Sequence, residues 1–172
     1  MKRLVVFLAF VAGSVTLLDA GGQSLESRLK QLFPAATSFS PKEGDPPHFT
    51  AYSGGPTSKT VIGYAAWTTE LLPLERGYGG PIAMLLGLDT SGKITGVIVG
   101  EHHEPYGDFS IDPPKFAAMF RNKDVRDPFK LGEDVDAVSR ATITMSSAVR
   151  AIRNSSRRMA RQFLTAPQPQ SK

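Results

Sequence analysis

The 172-residue chain is 41% hydrophobic and 21% charged, which is enough apolar surface for one packed domain and excludes a disordered chain. It has no cysteine, so disulfides, thiolate metal sites, iron–sulfur clusters and cysteine nucleophiles are excluded as well. The net charge of +4 is unevenly spread, with Arg150, Arg153, Arg157, Arg158 and Arg161 crowded into one C-terminal segment.

Lys2 and Arg3 precede an uncharged stretch, Leu4 to Leu18, and the small residues Ala20, Gly21 and Gly22 follow. That layout predicts a secretory signal peptide over residues 1–20. The stretch is short of the roughly 20 residues a membrane span needs, and an uncleaved N-terminal anchor is the alternative. Both readings put the remainder outside the cytoplasmic membrane, exported or periplasmic. That placement argues against nucleic acid as the partner of the basic segment.

Ser24 to Phe33 reads as a short helix capped by Ser24, with Leu25, Leu29, Leu32 and Phe33 on one face and Pro34 stopping it. Ser40 to Thr57 is rich in Pro, Gly and Ser and reads as loop, with a short strand at Phe49–Tyr52. Strands are predicted at Thr60–Thr69, Ile82–Leu88 and Lys93–Val99, the last two forming a hairpin over the Asp89–Gly92 turn. Asp112 is expected to cap a helix with Pro113 at its first position and with Phe116, Met119 and Phe120 facing inward. In the last helix Val149, Ile152, Met159 and Phe163 share one face. The five arginines fall opposite, which predicts a solvated Arg face. The polar tail, 166–172, is expected to be disordered. The whole predicts an α+β fold: an antiparallel sheet packed by helices, one domain over 24–165.

Three stretches can carry chemistry. "DAVSRAT", Asp136 to Thr142, ends where the last helix begins. There, free N–H groups and the positive dipole end favour a phosphate. The plainer reading makes Ser139, Thr142, Thr144 or Ser146 helix caps. "RGYGGPI", Arg76 to Ile82, has glycines that let backbone approach a flat or charged ligand, but it is neither a Walker loop nor G-x-G-x-x-G. "GEHHEPYG", Gly100 to Gly107, pairs two histidines with Glu101 and Glu104. Neighbouring side chains on a strand point to opposite faces, so His102 and His103 do not easily share one metal ion. No serine sits on a nucleophile elbow.

The order of these stretches is more specific than any one of them. "GYGGPIAMLLGLDTSGKITGVIVGEHHEP" followed by "DAVSRATIT" resembles the FMN-binding domain found at the exported end of NosR-type regulators, and more distantly RnfG/NqrC-type subunits of ion-pumping redox complexes. The likeness runs from about Gly63 to Leu164. It implies FMN attached through its phosphate to the last threonine of D-x-x-S/T-x-A-T, here Thr142, with Asp136, Ser139 and Ala141 at the other matching positions. Arg140 stands where the pump subunits carry glycine. The likeness also implies Tyr78, Gly79, Gly80 and Pro81 along the isoalloxazine ring, with His103, Glu104 and Pro105 on the other side.

Nothing near Thr142 reads as a strong general base, so the resemblance implies an external flavin transferase of the ApbE type, with FAD as donor. The expectation is an exported electron-transfer flavoprotein that passes electrons to a separate redox partner, which could be membrane-bound. The alternatives are a non-catalytic FMN-binding regulatory or assembly module, and a small flavin reductase with non-covalent FMN.

Overall fold

A computed structural model describes residues 23–164. The predicted signal segment and the polar tail lie outside the described residues. Five strands form one antiparallel sheet in the order β1 (Ser38–Phe39), β2 (Phe49–Ser53), β3 (Thr60–Trp67), β4 (Met84–Asp89) and β5 (Ile94–Val99). Chain order equals sheet order, so every connection joins neighbouring strands. The α+β expectation holds.

The sheet is buried on both faces. Along β4, side chains alternate sides, as a strand requires. Met84, Leu86 and Leu88 join the larger core, while Leu85 joins the smaller one. This explains why β4 reads as an unbroken apolar run rather than an alternating one. The smaller core is closed by α1 (Leu25–Leu32), which supplies Leu29 and Leu32, with Phe33 at its end. Ser24 caps this helix by accepting Ser27 N–H at 3.2 Å. The larger core is closed by α4 (Thr142–Met159), whose Met145, Ala148, Val149, Ile152 and Met159 are buried. Burial of side chains of this size contributes roughly 1.5–3 kcal/mol each. A π-helical turn, Ala160–Leu164, continues α4 and stacks Phe163 on Tyr64 at 4.7 Å between ring centroids.

The β4–β5 hairpin turns at Asp89–Gly92. Asp89 Oδ1 accepts Ser91 N–H at 2.8 Å and Lys93 N–H at 2.9 Å, and Gly92 takes the left-handed φ of +88°. This pairing places Met84 opposite Val99. The loop that enters β4 and the loop that leaves β5 therefore emerge side by side.

Two short helices follow β5: α2 (Gly107–Ser110) and α3 (Pro114–Ala118). Pro113, not Asp112, is the N-cap of α3, and Asp112 is not a cap at all. Its carboxylate is drawn away to His102, as the site geometry below shows. Phe116 and Phe120 are buried as expected, their rings 5.1 Å apart.

Candidate functional site

The glycine loop before β4 is a closed turn. Arg76 and Pro81 pair across it, Gly77 N–H donates to Gly80 C=O at 2.7 Å, and Tyr78 stands 71% exposed at its tip. Thr68, buried at the end of β3, staples the exit by donating to Ile82 C=O at 3.0 Å and accepting Met84 N–H at 3.1 Å.

Glu104, in the turn after β5, holds this loop from beneath. Its Oε1 accepts Gly79 N–H at 2.8 Å and its Oε2 accepts Tyr78 N–H at 3.1 Å. Oε2 also accepts the Thr144 hydroxyl from the first turn of α4. The residue is 8% exposed. One carboxylate therefore ties together the glycine loop, the post-β5 turn and the start of α4, and all three of these donors are neutral groups. A buried acidic group held this way is satisfied rather than strained. Glycine is required by the close approach: a Cβ on Gly77 would lie 2.3 Å from Glu104 Oε1, and one on Gly79 would lie 1.8 Å from His103 C=O.

The adjacent histidines, in the turn after β5, point apart. His102 turns inward, and its Nδ1 accepts Glu104 N–H at 3.2 Å. That leaves the ring proton on Nε2, which donates to Asp112 Oδ1 at 2.7 Å. The ring lies under Gly107, where a Cβ would meet His102 Cε1 at 2.3 Å. His103 is exposed, and it meets the glycine loop through its backbone carbonyl. His102, Asp112 and Thr144 are the members of this framework that spacing alone did not single out as a set. The alternation of the two histidines was the available signal, but it could not say which one faced in.

Ala141, 2% exposed, is the N-cap of α4 and anchors the helix in the core. No side chain caps this helix. The cap reading of its hydroxyls is therefore corrected: Thr144 is spent on Glu104, and Thr142 is exposed as the first helical residue. Ser139 and Arg140 are also exposed. Arg140 has φ +69°, the left-handed conformation that glycine adopts without cost. Asp136 pairs with Lys115 at 3.0 Å, but both side chains are well exposed, so the pair contributes little.

The arginine face of α4 is not simply solvated. Arg150 Nε and Asn154 Nδ2 donate to the carboxylate of Glu75, at 3.0 and 2.8 Å. Arg158 donates to Leu72 C=O, and Arg157 donates to the carbonyls of Val125 and Asp127. These side chains have long reach, and the loops beside the helix carry carbonyls that need donors. An open cavity of about 480 Å³ lies at the far end of α4, lined by Val125, Arg126, Arg157, Ala160, Arg161 and Leu164. Its cations are partly answered already, Arg126 by a two-point contact with Asp124 and Arg157 by the two carbonyls. The chemistry singled out by the sequence lies at the other end of the helix.

Fold and site together define a small α+β domain that presents a carboxylate-braced glycine loop and an uncapped helix start to solvent, the framework of a ligand-binding domain. Residues 77–156 match the model of the FMN-binding domain family. The match begins at the glycine loop and ends within α4, so it contains every residue of the framework around Glu104. The match supports a flavin-binding role. No curated protein matches the chain.

Proposed function

We propose that the protein is an exported electron-transfer flavoprotein that carries FMN as a phosphoester on Thr142 and relays electrons to a separate redox partner. The observation that carries this reading is the state of the α4 N-terminus: Thr142 is exposed as its first residue, and no side chain occupies the capping position. Backbone N–H groups at such a terminus favour a phosphate. The residues fit the group in a second way, since the glycine loop is braced from the side away from solvent and leaves Tyr78 outward.

The bond formed joins Thr142 Oγ1 to the FMN phosphorus. With FAD as donor, the pyrophosphate link breaks, AMP leaves, and the hydroxyl proton passes to the transferase. An external ApbE-type transferase fits this reading, because no base is held against Thr142 among the contacts of the described residues. Bound FMN supplies one- and two-electron transfer, and the chain supplies position and surroundings. These 172 residues have no cysteine to hold an iron–sulfur cluster, which supports electron relay to a redox centre outside them. Lys2, Arg3 and the apolar stretch after them support export, where a covalent link prevents loss of the cofactor.

The test is co-expression with the transferase in an exporting host, followed by denaturing electrophoresis viewed under ultraviolet light and by intact mass. The expected result is a fluorescent band of FMN-adduct mass that disappears in Thr142→Ala. An unmodified wild-type chain with FMN released on denaturation would instead establish a non-covalent flavin module or reductase.

A further inference from the structure

Large apolar side chains exposed among the described residues are Leu72, Leu74, Tyr78, Tyr106, Phe109 and Ile143. Four of them, Tyr78, Tyr106, Phe109 and Ile143, lie close in sequence to groups that hold the site. Tyr78 is on the loop braced by Glu104, Ile143 precedes Thr144, and Tyr106 follows Glu104 by two residues. Leu72 and Leu74 sit on a different segment, held by Arg158 at Leu72 C=O and by Arg150 and Asn154 at Glu75. Among the six, Tyr106 and Phe109 are in contact with each other, and paired exposed aromatic surface calls for an apolar ligand or partner.

We infer that Tyr106 and Phe109 form the platform on which the isoalloxazine ring of bound FMN rests. The two rings lie 5.6 Å apart with 50° between their planes, and they are 48% and 44% exposed. Each therefore leans on the other and still offers surface outward. The pair is held firmly for so short an element. Gly107 N–H donates to Glu104 C=O at 3.2 Å, Ser110 Oγ donates to Tyr106 C=O at 2.6 Å, and the His102 ring supports Gly107. α2 packs against α4, the helix that begins at Thr142.

Glu104 joins the loop that bears Tyr78 to the first turn of α4, and α2, which carries Phe109 and follows Tyr106, packs against the same helix, so a flavin held by its phosphate at Thr142 starts from the element that both adjoin. A flat, largely apolar ring is the ligand class such a surface takes, since offset and edge contacts between aromatic systems add to simple burial. This inference rests on FMN attachment at Thr142, and its test separates the two.

Tyrosine in contact with a flavin quenches its fluorescence. The measurement is flavin emission from the native, transferase-loaded protein, divided by emission from the same sample unfolded in guanidinium. Covalent loading is read independently by intact mass. Wild type should be strongly quenched when native. The Tyr106→Leu/Phe109→Leu double variant, which keeps apolar bulk, should melt as wild type does and, per loaded chain, lose the quenching several-fold, with a shifted flavin absorption band. Tyr106→Trp should keep it quenched. A fully loaded double variant with the wild-type ratio and band overturns the platform, and leaves the pair as a protein-contact surface. A wild-type chain without the adduct overturns the attachment, and this inference with it.

Discussion

Thr144 and Glu104, forty residues apart in the chain, share a buried hydrogen bond in which the threonine hydroxyl donates to Oε2. The bond joins the first turn of α4 to the turn after β5, and through the same carboxylate to Tyr78 and Gly79. Removal of one member of a buried network leaves the others unsatisfied. Glu104→Gln replaces one acceptor oxygen with an NH₂ group that must face existing donors. It should cost about 2–4 kcal/mol, and Thr144→Val about 1–2 kcal/mol. Denaturant unfolding of both singles and the double should give a coupling energy of at least about 0.5 kcal/mol. Simple additivity would mean that the contact does not bear on stability.

The glycine loop offers a sharper contrast. Gly79→Ala places a methyl 1.8 Å from the His103 carbonyl, a backbone atom that cannot swing aside. Gly55→Ala meets nothing within 4 Å. The first should destabilise by about 1–3 kcal/mol or more, or displace the loop from Glu104, and it should lower flavin loading. The second should be neutral or stabilising by up to about 1 kcal/mol, through the unfolded chain. Thermal melts beside a quantified flavin band read both effects. Equal behaviour of the two variants would show that close packing of Gly79 is not what fixes the loop.

Arg140, two residues before Thr142, holds the left-handed φ of +69° that glycine adopts freely. A left-handed non-glycine residue costs about 1–2 kcal/mol, while glycine gives back part of that gain through its freedom when unfolded. Arg140→Gly should therefore stabilise the protein by roughly 0.5–1 kcal/mol. Its flavin loading at saturating transferase should equal that of wild type, because the backbone before Thr142 already has the conformation glycine would take. A large rise in loading would show instead that the arginine side chain obstructs the transferase.

The sheet was legible because its signals are local. Short apolar or β-branched runs bounded by turn residues located β3, β4 and β5 to within about two residues, and the 3.6-residue period located α4. Helix faces were legible for apolar residues but not for arginines. Val149 and Ile152 are placed by periodicity, whereas Arg157 and Arg158 are placed by carbonyls on loops distant in sequence. The same limit applies to the site. Family likeness singled out Thr142 and Glu104, but it carried no sign that the Glu104 carboxylate accepts from Tyr78, Gly79 and Thr144. Asp112 was read as a cap because Pro followed it. A histidine ten residues upstream took its carboxylate instead, and no local rule weighs that competition.

Asp134 governs a pH dependence that the 123–135 segment should show. Its carboxylate accepts Phe129 N–H at 3.1 Å and Lys130 N–H at 2.5 Å, and pairs with Lys123 at 2.9 Å. Burial alone would push this carboxyl up. The Lys130 N–H, the Lys123 ammonium and the Phe129 N–H outweigh it, and the net direction is below the ordinary value of 3.8. A carboxyl depressed by folding stabilises the protein above its unfolded pKa. That contribution is lost as pH falls through the folded value. The bonds matter locally because Phe129, buried, is held at φ +51°. Asp134→Asn should therefore be less stable than wild type at neutral pH by about 1–2 kcal/mol. The difference between the two proteins should hold down to about pH 5 and shrink as the solution is acidified toward about pH 3. Denaturant titrations of both proteins across that range provide the check. A wild-type-minus-variant difference that stays constant with pH would place the stabilisation in side-chain shape rather than in the charge of Asp134.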